Sequence, residues 1–257
     1  MMKNTIVLIA ASALFTCASA GNVQIQVLDR EGKPVPDAVV VMYPGAAGAA
    51  APSLLQPSPT IEQERMRFVP AVTVVMPGST VRFTNQDRWD HHVRGNPAGG
   101  TASPAGAAVA PAAASTNFEL RLAGKADGKP ANFADVKLDT PGVVLLGCHL
   151  HGSMRGHVFV TDSAWTLKTD NDGIARFASV PDGAAQVRVW HAEQLVDLPR
   201  KALNVVPGPV LDTVQLSVVP RVRRAPPAAP TNTPGGPMGS YSQAPAPSHG
   251  SHLHSGS

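Results

Sequence analysis

Apolar and polar positions alternate along much of this chain, and the alternation predicts strands. Val23, Ile25 and Val27 are spaced by Gln24 and Gln26, so their side chains share one face of an extended segment. Ala38 to Met42 is a continuous apolar run of strand length. With the polar turn Asp29-Arg30-Glu31-Gly32-Lys33-Pro34 between them, the two segments predict a β-hairpin. Further strands are predicted at Val72–Val75, at Ser79–Thr84, at Gly156–Val160, and after the turn Thr169-Asp170-Asn171-Asp172-Gly173. Alternation returns over Ala185–Trp190, and strands are expected again over Ala202–Val206 and Thr213–Val219. An isolated two-stranded hairpin is only marginally stable, so the early pair needs the late strands to bury its apolar face.

Four stretches break the pattern. Met1 to Ala20 has a basic start at Lys3, an apolar run from Ile6 to Phe15 and the small-residue ending Ala18-Ser19-Ala20, which is the layout of a secretory signal peptide. A lipoprotein anchored through Cys17 is the weaker reading, because Thr16 is a poor fit before such a cysteine. Residues 46–61 are rich in Ala, Pro, Gly and Ser and read as a linker, residues 95–114 as a low-complexity insertion, and residues 220–257 as a disordered Pro/Gly/Ser/His-rich tail.

Composition supports a β-rich, loop-rich chain: 257 residues, 15% charged, 5% aromatic, with 23 Gly and 25 Pro. The formal charge of +3 is misleading, since Lys3 lies in the leader and Arg221, Arg223 and Arg224 in the tail, leaving the remainder at −1. Nothing in this balance supports a nucleic-acid surface. No apolar run after the leader approaches the roughly 18 residues of a membrane span. The expected product is periplasmic or secreted and monomeric.

Candidate chemistry centres on Gly147-Cys148-His149-Leu150-His151-Gly152-Ser153-Met154. Loss of the leader removes Cys17 and leaves Cys148 alone in a compartment where structural thiols pair. Cys148, His151 and Met154 are each three positions apart, and a tight loop turns all three toward one point. Thiolate, imidazole and thioether together favour copper or zinc, and a second histidine would complete the trigonal site of a blue-copper centre with Met as weak axial ligand. His91 and His92 follow the predicted strand at Ser79–Thr84. Neighbours on an extended chain face opposite ways, so one of the two is the ligand.

The stretch from Met66 to Asp162 resembles the cupredoxin, or blue-copper, family on its amicyanin- and plastocyanin-like side. The resemblance rests on Phe68-Val69-Pro70, Phe83-Thr84-Asn85, the Cys-x-x-His-x-x-Met loop and Gly156-His157-Val158-Phe159-Val160. His91-His92-Val93, Asn117-Phe118-Glu119-Leu120, the run Pro141 to Cys148 and Val189-Trp190-His191 are similar to cupredoxin-like proteins labelled methylamine utilisation proteins. The family pattern selects His91 over His92 and implies one type 1 copper ion held by His91, Cys148, His151 and Met154. It departs at Asp90, where Pro is usual, at His92, where Asn is usual, and at Gly147, where an aromatic is usual. The flanking strands resemble a small carboxypeptidase-regulatory-like sandwich.

The expected fold is therefore all-β. A cupredoxin Greek-key β-sandwich over 62–163 lies within, or next to, a second small β-sandwich made of 22–45 and 164–219. The expected function is that of an electron-transfer carrier, not an enzyme, with a redox partner docking on the ligand-loop face. The alternative is a copper-binding or delivery module assisted by His249, His252 and His254. A zinc hydrolase is weaker still, because the only acid expected near the cluster is Asp90. His149 is expected to face solvent, His157 to sit in a strand, and His191 to serve packing.

Overall fold

The computed structural model describes residues 20–45, 55–98, 117–194 and 196–221. These form sixteen strands and no helix. In chain order they begin with β1 (Ala20–Leu28), β2 (Val39–Pro44), β3 (Thr60–Gln63), β4 (Phe68–Val69), β5 (Val72–Val75) and β6 (Ser79–Asn85). There follow β7 (His91–Pro97), β8 (Phe118–Leu122), β9 (Asn132–Leu138), β10 (Gly142–Cys148) and β11 (Arg155–Val160). The last are β12 (Thr166–Lys168), β13 (Ile174–Pro181), β14 (Gly183–Trp190), β15 (Lys201–Val205) and β16 (Gly208–Gln215). The all-β class expected from the alternation is observed. The expected signal peptide falls outside the described residues except for Ala20, and the tail is outside them from residue 222.

The strands make four sheets, ordered β13-β1-β16, β12-β2-β14-β15, β5-β11-β10-β7-β8 and β4-β3-β6-β9. One core lies between the first two, where Val23, Ile25 and Val27 of β1 meet Val40 and Met42 of β2 and Val187 and Val189 of β14. A second lies between the last two and contains Ile61, Phe83, Val93, Leu146 and Val158. A third joins the middle sheets, with Val39 and Val41 of β2 and Trp190 of β14 against Val72, Val143 and Phe159. The result is four layers of sheet separated by three apolar seams.

This stacking corrects the expected hairpin. β1 pairs with β13 and β16 and β2 with β12 and β14, so the two lie in different sheets and meet face to face across the first core rather than edge to edge. The reason is in their patterns. β1 alternates and has one face to bury, whereas the unbroken apolar run of β2 needs cover on both faces, as strands of fully enclosed sheets do. The turn at Asp29, whose carboxylate accepts from the N–H groups of Glu31 and Lys33, aims the chain from one layer to the next.

Two further boundaries move. The linker expected over 46–61 gives way to strand at Thr60, because Ile61 is fully buried in the second core. The insertion expected from residue 95 begins later, since Gly95, Asn96 and Pro97 continue β7 beside Leu146, Leu145 and Val144. The rest of that insertion, residues 99–114, lies outside those described.

Candidate metal centre

The site lies at one end of the second core, where the loop after β6 and the loop after β10 meet. Asn85, fully buried at the end of β6, shapes the first loop. Its Oδ1 accepts from the N–H of Asp87 at 2.9 Å, and its Nδ2 donates toward the carbonyls of Trp89 and Ala123 at 2.9 and 3.0 Å. Asp87 is thereby turned inward. One of its oxygens accepts from the N–H of Arg65 at 2.6 Å, and the other from the N–H of Met66 at 3.0 Å and from Nε2 of His91 at 2.9 Å. Arg65 and Met66 have φ of +51° and +57°, a rare conformation for residues with a Cβ. They form the two-residue turn between β3 and β4, the mirror-image type that suits a twisted hairpin. That turn presents two consecutive N–H groups to one carboxylate.

The second loop is stitched to the first by backbone. Cys148 ends β10 opposite Val93, and the N–H of His149 donates to the carbonyl of His92 at 2.9 Å. The N–H of Met154 donates to the carbonyl of His151 at 3.0 Å, closing a tight turn before β11. Three donor atoms converge as a result. His151 Nδ1 lies 3.1 Å from His91 Nδ1, and Cys148 Sγ lies 3.7 Å from His91 Nδ1 and 3.6 Å from His151 Nδ1. His91 and Cys148 are buried and His151 is half-buried. Met154 is buried in the same apolar cluster as Cys148.

The two nitrogen–sulfur distances fit a single small transition-metal ion, and the 3.1 Å between the nitrogens is slightly shorter than such an ion would set. With metal–nitrogen bonds of about 2.0–2.1 Å and a metal–sulfur bond of about 2.3 Å, the nitrogens and sulfur around one centre are separated by roughly 3.3–3.8 Å. The tautomer also fits. Nε2–H of His91 donates to Asp87, which leaves Nδ1 as the lone-pair nitrogen aimed at Cys148, the arrangement in which a carboxylate orients a ligand imidazole.

Of the residues expected at the site, the structure brings together His91, Cys148 and His151 through their donor atoms and places Met154 in the adjoining core. His92 points the other way, toward Glu119. Asp90, expected to be the acid nearest the cluster, instead accepts from the N–H of Gly124 at 2.8 Å. The acid that touches the cluster is Asp87, which sequence reasoning missed; its only local signal is the spacing Asn-x-Asp-x-x-x-His, four residues ahead of His91. His157 lies in β11 with its ring 5.4 Å from that of Trp190, and His191 Nδ1 accepts from the N–H of Glu193. The tail histidines His249, His252 and His254 lie outside the described residues. No helix among the described residues is long and apolar enough to cross a membrane.

No family model and no curated protein matches this chain. Solved structures with some likeness include amicyanin from Paracoccus versutus, at 16% identity and a TM-score of 0.30, covering 47% of this chain and 97% of that one. A mutant plastocyanin of fern is 22% identical with a TM-score of 0.27, covering 40% of this chain and 99% of that one. The Cu-containing nitrite reductase (NirK) from Thermus scotoductus SA-01 is 21% identical with a TM-score of 0.30 over 46% of this chain, which spans only 25% of the reductase.

Proposed function

We propose that this chain is an exported copper protein that carries single electrons, and that His91, Cys148, His151 and Met154 would hold the ion. The observation that carries the reading is the convergence of two Nδ1 atoms and one Sγ within 3.1–3.7 Å of one another, with Asp87 fixing the tautomer of His91. Two imidazoles, a thiolate and a thioether are the donor set of blue-copper electron carriers. Copper held there would supply one-electron exchange between its two oxidation states.

The chain's own residues set the terms of that exchange. Asp87 and the Arg65–Met66 turn hold His91 in one orientation, so little of the protein has to move. Burial of Cys148 and Met154 keeps water from the sulfur atoms. His151 alone among the three convergent ligands reaches toward the surface, beside Leu150, which is 58% exposed. An apolar residue next to a half-exposed imidazole suits a redox partner docking on the ligand-loop face. We propose further that the strands of 22–45 and 164–219 form a separate structural body into which the copper-holding body is inserted.

The test is optical and electrochemical. Full-length protein loaded with one equivalent of Cu(II) is expected to turn blue or green through thiolate-to-copper absorption, to cycle reversibly at an electrode, and to lose its colour on Cys148→Ser. A colourless complex with stoichiometric Cu(II) would sink the carrier reading. Colour with sluggish, irreversible cycling would replace it with a delivery role.

A further inference from the structure

β7 and β10 lie side by side, and each sends successive side chains to opposite faces of its sheet. His91 and Cys148 face the second core, so His92 and His149 share the outer face, where β8 adds Glu119. His92 Nε2 lies 3.3 Å from one carboxylate oxygen of Glu119, and His149 Nε2 lies 3.7 Å from the other. The two imidazoles are 4.7 Å apart between centroids and inclined by 33°. One ligand atom from each of the three residues falls within 4.8 Å of the others. The neighbouring sheet β12-β2-β14-β15 covers the far end of this face, at Val143 and Ala98, and leaves this end open. The side chains of His92, His149 and Glu119 are 17%, 40% and 61% exposed.

We propose that His92, Glu119 and His149 form a second metal site, on the opposite face of the sheet from the first, for a divalent ion of the zinc or copper(II) type. Two imidazoles and a carboxylate are one of the donor sets that bind zinc while leaving a coordination position to solvent. The set is too rich in nitrogen for calcium or magnesium, which take oxygen ligands. Both Nε2 atoms already point at the carboxylate, so an ion entering between them needs only small side-chain adjustments. The bond from the His149 N–H to the His92 carbonyl fixes the spacing of the two histidines before any ion arrives. Arg94 and Arg121 stand opposite Glu119 and His92 in the strand register, and their charge would moderate the affinity. Selectivity then comes from imidazole coordination rather than from net charge.

The experiment is calorimetric titration of the full-length protein with Zn2+, comparing wild type, Glu119→Gln, His149→Ala and the triple tail variant His249→Ala, His252→Ala, His254→Ala. Wild type is expected to bind one more Zn2+ than Glu119→Gln and His149→Ala, or to bind it at least about tenfold more tightly, since even an outer partner of a ligand commonly costs that much. The tail variant is expected to keep this site. The difference between wild type and Glu119→Gln holds whether or not the Cys148 cluster also takes zinc, so it does not depend on the function proposed above. Glu119 and His149 are surface residues, and unchanged far-ultraviolet circular dichroism checks that the variants fold. Equal stoichiometry and affinity in wild type, Glu119→Gln and His149→Ala would overturn the site, as would its loss in the tail variant.

Discussion

The two bodies proposed above, one of the sheets β13-β1-β16 and β12-β2-β14-β15 and one of the other two sheets, each take in an apolar core, yet they use buried polar side chains differently. In the first, those side chains tie backbone. Thr169 Oγ1 donates to the carbonyl of Val35 at 2.7 Å and accepts from the N–H of Ala38 at 3.0 Å. Gln194 donates to the carbonyl of Val196 and accepts from the Ser217 N–H. In the second body the chain of bonds runs from Asn85 to Asp87 and ends on an imidazole. A buried polar network that closes on backbone serves the fold alone, whereas this one terminates on a ring whose other nitrogen faces Cys148 and His151.

The comparison breaks most readily at the seam between the bodies. Phe159→Ala removes an aromatic packed on Trp190 and is expected to cost about 3–5 kcal/mol, read by chemical denaturation. If the seam couples the bodies, wild type unfolds in one transition and the variant in two. Next in size, Asp87→Asn keeps the shape but weakens the acceptor, and copper affinity is expected to fall by roughly ten- to hundredfold, measured by competition with a chelator. Thr169→Val in the first body is the matching control. It is expected to cost about 1–3 kcal/mol of stability by leaving the Val35 carbonyl and the Ala38 N–H unpartnered, with copper affinity unchanged. A change in affinity there would erase the distinction between the two bodies.

The smallest effect concerns pH. The N–H of Ile174, and then the Arg176 guanidinium, hold the carboxyl of Asp170 below its ordinary value of 3.8. A carboxyl depressed by folding contributes stability that is present above its unfolded value and is lost as pH falls through its folded one. Asp170→Asn is therefore expected to flatten the acid limb of a stability-against-pH curve below about pH 4. An unaltered limb would show that this exposed turn contributes nothing to acid stability.

What could be read ahead of the structure was what depends on short sequence distance. The three-residue spacing of Cys148, His151 and Met154 needs only one tight loop, and the strand at β1 needs only alternation. The hairpin failed because Asp29 to Pro34 is equally suited to reversing a chain within one sheet and to passing it between two; the choice lies in how many faces of β2 must be covered. Asp87 was hidden because its role is set by the backbone of the Arg65–Met66 turn, and neither residue carries the usual Asn-Gly signal of that turn. Glu119 was hidden because its place beside His92 depends on the register of β8 on β7 across residues 99–116.

The pairing of β1 also sets an order in time. Ala20 pairs with Pro181 and Gly21 with Gly208, whereas Ser79 pairs with Leu138 and Val93 with Cys148. Contacts between residues distant in sequence form late, because the intervening chain must first be closed into a loop. Here that loop shortens sharply once the body between β2 and β12 has folded, since Thr166 comes to lie beside Val41. The sheets between β3 and β11 can thus close before β13 and β16 assemble on either side of β1. In pulse-labelling hydrogen exchange during refolding, the amides of β10 should gain protection ahead of those of β1, and the earliest strand described is the last to find its neighbours.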